Sequence, residues 1–287
     1  EWTKEMPDAK VEAISLATEP GIVVPLLLML PHSHGQARLP VVVGIAEGGK
    51  DLFLDERSPQ IETLLESGYA VCLPDVRGTG ETSPGGLHEP DGAQITIGAA
   101  DYMLGETLLG QRLKDLRTVL FYLKLRPELD PRRIGLWGDS FSPPNPAHIL
   151  LNELPQYQIG PQIEQLAEPL GEMLAMLGAM YEPEVKTIFV HGGLASFLSM
   201  LHDGFPYVPQ DVIVPGVLKL GDIGAIADAL EPRPVRLEAM VNGKNQLLPA
   251  DAVRTQMAGS SGKIPASIEI RAGEKADGLA DWFHTHL

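Results

Sequence analysis

Arg133-Ile134-Gly135-Leu136-Trp137-Gly138-Asp139-Ser140 is the stretch of sequence that decides the fold. Its apolar residues are typical of a strand buried on both faces, and this strand runs directly into a Gly-X-Ser turn. A serine in such a nucleophile elbow adopts strained backbone angles, so the residue two positions before it must be small. Gly138 meets that requirement. The stretch therefore predicts that the Ser140 hydroxyl stands clear at the end of a central strand.

Predicted strands and helices alternate on both sides of this stretch. Besides 133–137, apolar runs predict strands at 41–46, 70–73, 185–190, 235–241 and 267–271. Helical patterns lie between them, the longest from Glu106 to Leu125. This alternation predicts the α/β class, with a doubly wound, mostly parallel sheet of about eight strands and helices on both faces.

We interpret residues 1–287 as a single domain of this class. Residues 1–39 contain two β-leaning runs separated by Glu19-Pro20-Gly21, which predict N-terminal antiparallel strands. The chain begins with Glu1 and shows no signal-peptide pattern. We therefore expect a processed N-terminus or a domain excised from a larger protein with additional domains. We expect a soluble chain, and its sequence is compatible with either a cytoplasmic or a secreted location.

Charge restricts the classes of partner. Lys and Arg number 22 against 38 Asp and Glu, which gives a net charge of −16. Such a charge repels nucleic acid and anionic membrane surfaces, and we expect neither as a partner. The longest apolar run, Ile22 to Leu30, is too short to span a bilayer. A neutral or cationic partner fits this charge better.

Several motifs resemble those of the α/β hydrolases, in particular the acetyl xylan esterase and dienelactone hydrolase-like group. They are the loop Asp75-Val76-Arg77-Gly78-Thr79-Gly80, the helix segment Asp115-Leu116-Arg117, the elbow Trp137-Gly138-Asp139-Ser140, and Pro232-Arg233-Pro234-Val235 before the seventh predicted strand. The resemblance extends over about residues 40 to 287. It implies a serine carboxylesterase without a cofactor, acting on an acylated carbohydrate or similar ester. The backbone N–H groups of Phe141 and Gly48 would then form the oxyanion hole.

The segment after the elbow departs from this pattern. Such hydrolases continue with small residues that let the next helix pack closely, but here Phe141 is followed by Ser142-Pro143-Pro144. Gly171 and the residues after it resemble the displaced beginning of that helix. The sequence therefore predicts an insertion, residues 142–170, directly beside Ser140.

The acid and the base are also missing from their usual places. The loop Val241-Asn242-Gly243-Lys244-Asn245 carries no carboxylate, and Ala272-Gly273-Glu274 carries no histidine. Asp222 and Asp203 follow the sixth predicted strand, where some relatives place the acid. Helix capping is the other interpretation of either residue.

Three histidines could replace the base. His191 ends the sixth predicted strand, and catalytic groups gather at the carboxyl ends of parallel strands, so it is the preferred candidate. His202 is the second candidate, and His148, in the insertion, is the third. A purely structural role is the competing interpretation of all three.

Two hypotheses for function follow. In the first, Ser140 attacks an ester, and His191 with Asp222 relays the proton. In the second, the domain has lost hydrolysis and serves as a binding or scaffolding module, because its triad positions are altered. No metal site is expected, since His32-Ser33-His34 lacks further ligands at suitable spacing.

Overall fold

A computed structural model provides the structure of the chain. It describes residues 2–32, 38–84, 92–147, 165–202, 206–258, 263–273, 276 and 278–287. The predicted candidates His148 and Asp203 lie outside the described residues, as does most of the predicted insertion.

The centre of the structure is one nine-stranded sheet with the order β1-β2-β3-β5-β4-β6-β7-β8-β9. Its strands are β1 (Trp2–Glu5), β2 (Ala9–Glu19), β3 (Ile22–Pro31), β4 (Leu39–Ile45), β5 (Ala70–Pro74), β6 (Leu129–Asp139), β7 (Val185–Leu194), β8 (Val235–Val241) and β9 (Ile268–Arg271). The strands from β4 to β9 run parallel, whereas β1, β2 and β3 form antiparallel pairs at one side. The predicted mostly parallel sheet is confirmed, and β1, β2 and β3 form its antiparallel part.

Helices cover both faces of the sheet. They are α1 (Gly49–Glu56), α2 (Ser58–Glu66), α3 (Gly92–Leu104), α4 (Leu108–Leu125), α5 (Leu170–Tyr181), α6 (Ile223–Ala229), α7 (Ala250–Ala258) and α8 (Leu279–His286). One apolar core lies between the sheet and helices α4, α5, α6 and α7. A second core lies on the opposite face, under α1, α2 and α8. None of the described helices is long and apolar enough to cross a membrane.

Four elements differ from the sequence-based prediction. Strand β1 was not predicted, because its residues are exposed and polar and carry no burial signal. Helix α1 begins at Gly49, inside a segment predicted as a Gly-rich loop. The glycines and prolines of residues 80–94 predict a surface loop, but α3 begins within them at Gly92. The sequence also predicts a helix near residues 162–181, but α5 begins at Leu170. In each case a glycine- or proline-rich flank misplaced the helix boundary.

Helix α5 packs closely on the end of β6 because both contain glycine at the crossing. A Cβ atom at Gly138 would lie 2.4 Å from the carbonyl oxygen of Gly171. A Cβ atom at Gly171 would lie 2.5 Å from the carbonyl oxygens of Asp139 and Ile45. Since these neighbours are backbone atoms, neither contact can be relieved by a side-chain rotation. Gly138 is therefore needed for helix packing at the strand end.

We predict that Gly138→Ala lowers the free energy of unfolding by about 2–4 kcal/mol, because the added methyl group collides with the α5 backbone. Gly98→Ala is the matched control, since a Cβ atom there meets only the Cα of Asp211, at 3.7 Å. Urea unfolding of the two variants measures the difference. Equal stability of both variants would contradict the packing account.

Candidate active site

The candidate site lies at the carboxyl ends of β6 and β7. Asp139 is the last residue of β6, and it pairs in register with His191 of β7. Because parallel strands end at the same edge of the sheet, this register brings Asp139, Ser140 and His191 together. They adjoin a cavity of about 460 Å³ whose lining includes Ser140 and His191 and also residues of α1 and of the loop after β8. The structure therefore places the predicted nucleophile and the preferred base in one cavity.

The Asp139 carboxylate is the buried centre of the polar contacts at this site. Its Oδ1 accepts hydrogen bonds from the Ser140 N–H at 2.9 Å, from His191 Nδ1 at 2.9 Å and from Arg57 Nη2 at 3.1 Å. Its Oδ2 accepts a hydrogen bond from Arg57 Nε at 2.8 Å. The side chain is 0% exposed. A buried carboxylate is stable when it is paired and hydrogen-bonded in this way.

The contact with Asp139 decides which nitrogen of His191 can act as a base. Nδ1 contacts the Asp139 carboxylate, which only accepts, at 2.9 Å, and Arg57 Nη2, which only donates, at 3.4 Å. We assign the proton to Nδ1 because the contact with Asp139 is the shorter one. Nε2 is then the nitrogen that can accept a proton. The same logic orients the histidine of a Ser-His-Asp triad. The guanidinium of Arg57, which stacks 5.1 Å from the Phe141 ring centroid, closes the other side of the carboxylate.

Ser140 itself is half-buried, and its backbone lacks the left-handed strain of a nucleophile elbow. Among the described residues, the non-glycine positions with positive φ are Ala239 and Asn245. The Ser140 hydroxyl makes no hydrogen bond to any described residue, His191 included. A Cβ atom at Gly192, where φ is +73°, would lie 2.5 Å from the Ser140 Cβ, so glycine leaves room for the serine.

Backbone strain occurs instead in the neighbouring wall of the cavity. Ala239 has φ of 52° within β8, and Asn245 has φ of 55° in the loop that follows. Asn245 is 2% exposed, and its Nδ2 donates to the carbonyl of Pro143 at 3.0 Å. Asn145 donates its N–H to the carbonyl of Asn245 at 2.6 Å. These contacts fasten the segment after Ser140 to the loop where the acid was sought, so that loop has a positioning role.

The expected oxyanion donor, the N–H of Phe141, already has a partner. The Glu168 Oε2 accepts hydrogen bonds from the N–H groups of Phe141 at 2.8 Å and of Ser142 at 3.1 Å. Glu168 also lines the cavity. Two consecutive amides that converge on one oxygen form an anion-binding concavity. The second expected donor, Gly48, is not among the described residues that line the cavity.

The structure does not bring Asp222 to His191, so the predicted pairing of these residues is replaced by His191 with Asp139. The Asp222 carboxylate accepts hydrogen bonds from the Phe197 N–H at 2.7 Å and from the Ile223 N–H at 2.8 Å, and it also binds the Ser196 hydroxyl. Asp222 is the N-cap residue of α6. Capping, the other interpretation of its sequence, describes these contacts.

The alternative base His202 lies away from the cavity. It is exposed and ends the short 3₁₀ turn Phe197–Leu201. Of the three histidine candidates, His191 is therefore the one that the described structure places beside Ser140. Among the described residues, no group of three or more His, Cys, Asp or Glu side chains is positioned to hold a metal ion.

Two further buried carboxyl groups lie next to the site. Glu238 of β8 pairs in register with His191, and burial raises its pKa although Arg236, 2.6 Å away, opposes the shift. Glu172 is 0% exposed and accepts a hydrogen bond from the Leu194 N–H at 2.8 Å. Burial raises the pKa of Glu172 well above its ordinary value, and the Asp222 carboxylate adds to the shift. Burial therefore favours the protonated, neutral form of Glu172 over its carboxylate.

Sequence reasoning missed Arg57, Asp139 and Glu168 at this site. Arg57 lies between α1 and α2, and no motif in the sequence marked it. Asp139 was quoted only as the middle residue of Gly-X-Ser, although it and His191 end neighbouring parallel strands, and that shared position was the available signal. Glu168 lay within the predicted insertion, where no periodic pattern indicates which side chain returns to the site.

Comparisons with known proteins give structural matches alone. No family model matches the chain, and a search of the curated proteins finds no match. A solved protein assigned as an acetyl xylan esterase from Bacteroides fragilis is 17% identical, with a TM-score of 0.70 over 97% of this chain and 70% of its own. An acetyl xylan esterase from Paenibacillus sp. R4 is 16% identical, with a TM-score of 0.61 over 99% of this chain and 87% of its own. A cold-adapted esterase from an Arctic intertidal metagenomic library is 14% identical, with a TM-score of 0.58 over 99% of this chain and 97% of its own. At these identities the similarity demonstrates a shared fold.

The raised pKa of Glu172 predicts a pH-dependent stability. An unfolded glutamic acid ionises near pH 4.3, whereas the folded one keeps its proton to higher pH. The unfolded state therefore loses its proton first, and the free energy of unfolding falls as pH rises above about 4.3 toward the folded pKa. We expect Glu172→Gln to remove this part of the pH dependence and to be more stable than wild type at alkaline pH.

Thermal unfolding between pH 4 and pH 9 measures the effect, with Glu62→Gln on the exposed side of α2 as the control. Parallel pH profiles for wild type and Glu172→Gln would show that Glu172 is ionised in the folded state.

Proposed function

The chain has the α/β-hydrolase fold, and from this premise we propose that it is a serine-dependent carboxylic ester hydrolase with Ser140 as nucleophile, His191 as base and Asp139 as acid. The observation that carries the proposal is the 2.9 Å contact of His191 Nδ1 with the buried Asp139 carboxylate, in the cavity that also contains Ser140. An imidazole held by a carboxylate beside a serine is the arrangement that activates a hydroxyl for acyl transfer.

The reaction would proceed in two stages. Ser140 Oγ attacks the acyl carbon while its proton passes to His191 Nε2, and Asp139 stabilises the resulting imidazolium. The tetrahedral intermediate collapses, the alcohol leaves with the proton from Nε2, and an acyl-serine remains. Water then attacks the acyl carbon, gives a proton to Nε2 and releases the carboxylic acid, and the proton returns to Ser140.

Two side-chain movements are required before this chemistry begins. The Ser140 hydroxyl has to rotate toward Nε2, a contact that often forms only when substrate is bound. The amides of Phe141 and Ser142 have to exchange the Glu168 carboxylate for the substrate oxyanion. In this scheme Ser142 supplies the second oxyanion donor in place of Gly48, which does not line the cavity.

For the substrate we propose an acylated carbohydrate or similar small ester. The cavity volume of about 460 Å³ suits a small molecule, and its lining combines apolar side chains with the polar groups of Glu56, Ser142 and Asn245. The structural neighbours named above include an acetyl xylan esterase and a protein assigned as one. The net charge of −16 favours a neutral substrate over an anionic one.

A non-hydrolytic binding domain is the second candidate function, and Glu168 favours it. A carboxylate on the amide pair is electrostatically opposed to a developing oxyanion. The backbone of Ser140 also favours this function. The serine of a nucleophile elbow adopts strained backbone angles, whereas Ser140 is not among the described residues with a positive φ. In this alternative the same cavity would bind a small molecule without cleaving it.

Substitutions in the proposed triad separate the two functions. We expect Ser140→Ala to abolish labelling by a fluorophosphonate probe and turnover of p-nitrophenyl acetate. Asp139→Asn should lower kcat by about 10²–10⁴-fold, because an amide cannot stabilise the imidazolium of His191. Asp222→Asn is the matched control, since it removes a carboxylate of the α6 cap and leaves the His191 contact intact.

Activity has to be expressed per folded protein, because the Asp222 variant should lose about 1–2 kcal/mol of stability. Wild-type protein without Ser140-dependent labelling and turnover would support the binding domain instead. An Asp222→Asn variant as impaired in kcat as Asp139→Asn would reject Asp139 as the acid.

A further inference from the structure

The Glu168 carboxylate occupies the position where an oxyanion would be held. Its Oε2 accepts the Phe141 N–H at 2.8 Å and the Ser142 N–H at 3.1 Å, beside the proposed nucleophile. We propose that Glu168 is an internal plug of a carboxylate-binding subsite, so that the site is autoinhibited until a substrate oxygen or a free monocarboxylate displaces the Glu168 side chain. The autoinhibition rests on the proposed hydrolase function, whereas the anion subsite does not.

The backbone that carries the N–H groups of Phe141 and Ser142 is held in place by hydrogen bonds to neighbouring segments. The Ser142 hydroxyl donates to the carbonyl of Leu166, and Asn245 Nδ2 donates to the carbonyl of Pro143 at 3.0 Å. Asn145, 6% exposed, donates its side-chain amide to the carbonyls of Gln165 and Lys244, each at 2.9 Å. These contacts hold the two N–H groups in place whether or not Glu168 is bound to them.

The main chain that carries Glu168 is also held on both sides. The Ala167 N–H donates to the carbonyl of Tyr207 at 2.8 Å, and Ala167 is 1% exposed. Pro169 is the N-cap residue of α5. Opening the subsite therefore requires rotation of the Glu168 side chain into the cavity, and no movement of the surrounding segment.

The chemistry of the subsite defines its ligand. Two parallel N–H donors bind one oxygen of a carboxylate, as they do with Glu168, and they would bind acetate in the same way. Acetate is also the acid released from an acetyl ester. The proposal therefore assigns to this subsite both the oxyanion of the reaction and a carboxylate product, each in competition with Glu168.

Glu168→Ala tests the subsite directly, with acetate as the probe. We expect the backbone amide NMR signals of Phe141 and Ser142 to shift saturably with acetate in Glu168→Ala and to stay unchanged in wild type over the same concentrations. Glu168→Gln, which keeps a side-chain oxygen acceptor, should respond less than Glu168→Ala. An absence of acetate-dependent shifts in folded Glu168→Ala would overturn the proposal.

Fluorophosphonate labelling of Ser140 tests the autoinhibition. Because charge-assisted hydrogen bonds hold the plug, Glu168→Ala should label at least about tenfold faster than wild type, and acetate should slow that labelling. Asp55→Asn is the matched control, since Asp55 is an exposed carboxylate of α1 that does not line the cavity, and its labelling rate should equal that of wild type.

The outcomes distinguish the two proposals. Acetate-dependent shifts without Ser140 labelling in any variant would refute the hydrolase and the autoinhibition and leave the anion subsite established. Labelling of wild type that is unchanged or slower in Glu168→Ala would refute the plug and leave the hydrolase. A similar acceleration in Asp55→Asn would also refute the plug, because a general loss of negative charge would then account for the effect.

Discussion

The buried Asp139 carboxylate is the interaction on which the site depends. It accepts hydrogen bonds from His191, from Arg57 and from the Ser140 N–H, and it lies at the end of the central strand β6. A carboxylate at 0% exposure is stable only with such partners, so folding itself brings the imidazole and the guanidinium to the strand end. The catalytic proposal uses a contact that the folded chain already needs.

Close packing around the Asp139 carboxylate restricts which side chains and helices can lie beside it. Gly138 and Gly171 let α5 approach the strand end, and Gly192 leaves space for the Ser140 side chain. Just before α5, the Glu168 carboxylate accepts the N–H groups of Phe141 and Ser142. In the proposed function, this carboxylate closes the anion subsite beside Ser140.

Much of the fold could be predicted from local patterns. Apolar runs such as 41–46 and 133–137 indicated strands buried on both faces, and the alternation with helices indicated the parallel sheet. The exposed strand β1 has no such pattern, and helix α1 starts at a glycine pair that local rules assign to a loop. These elements depend on tertiary contacts, as when Lys50 of α1 binds the buried Asp75.

The site was less predictable because its contacts cross between strands. Ser140 and His191 could be found, since each ends a predicted strand. Asp222 was the expected acid because of its position after the sixth predicted strand, but its carboxylate caps α6. The carboxylate that contacts His191 belongs to Asp139, the residue before the serine. Strand register and the return of an insertion are three-dimensional facts, which spacing along one chain does not encode.

The His191–Asp139 contact can be measured by NMR of the imidazole protons, with His191→Asn used to assign the signal. The account predicts a downfield Nδ1 proton of His191 that is protected from exchange, that disappears in Asp139→Asn and that persists in Asp222→Asn. A signal that survives Asp139→Asn, or that disappears in Asp222→Asn while the protein stays folded, would contradict it.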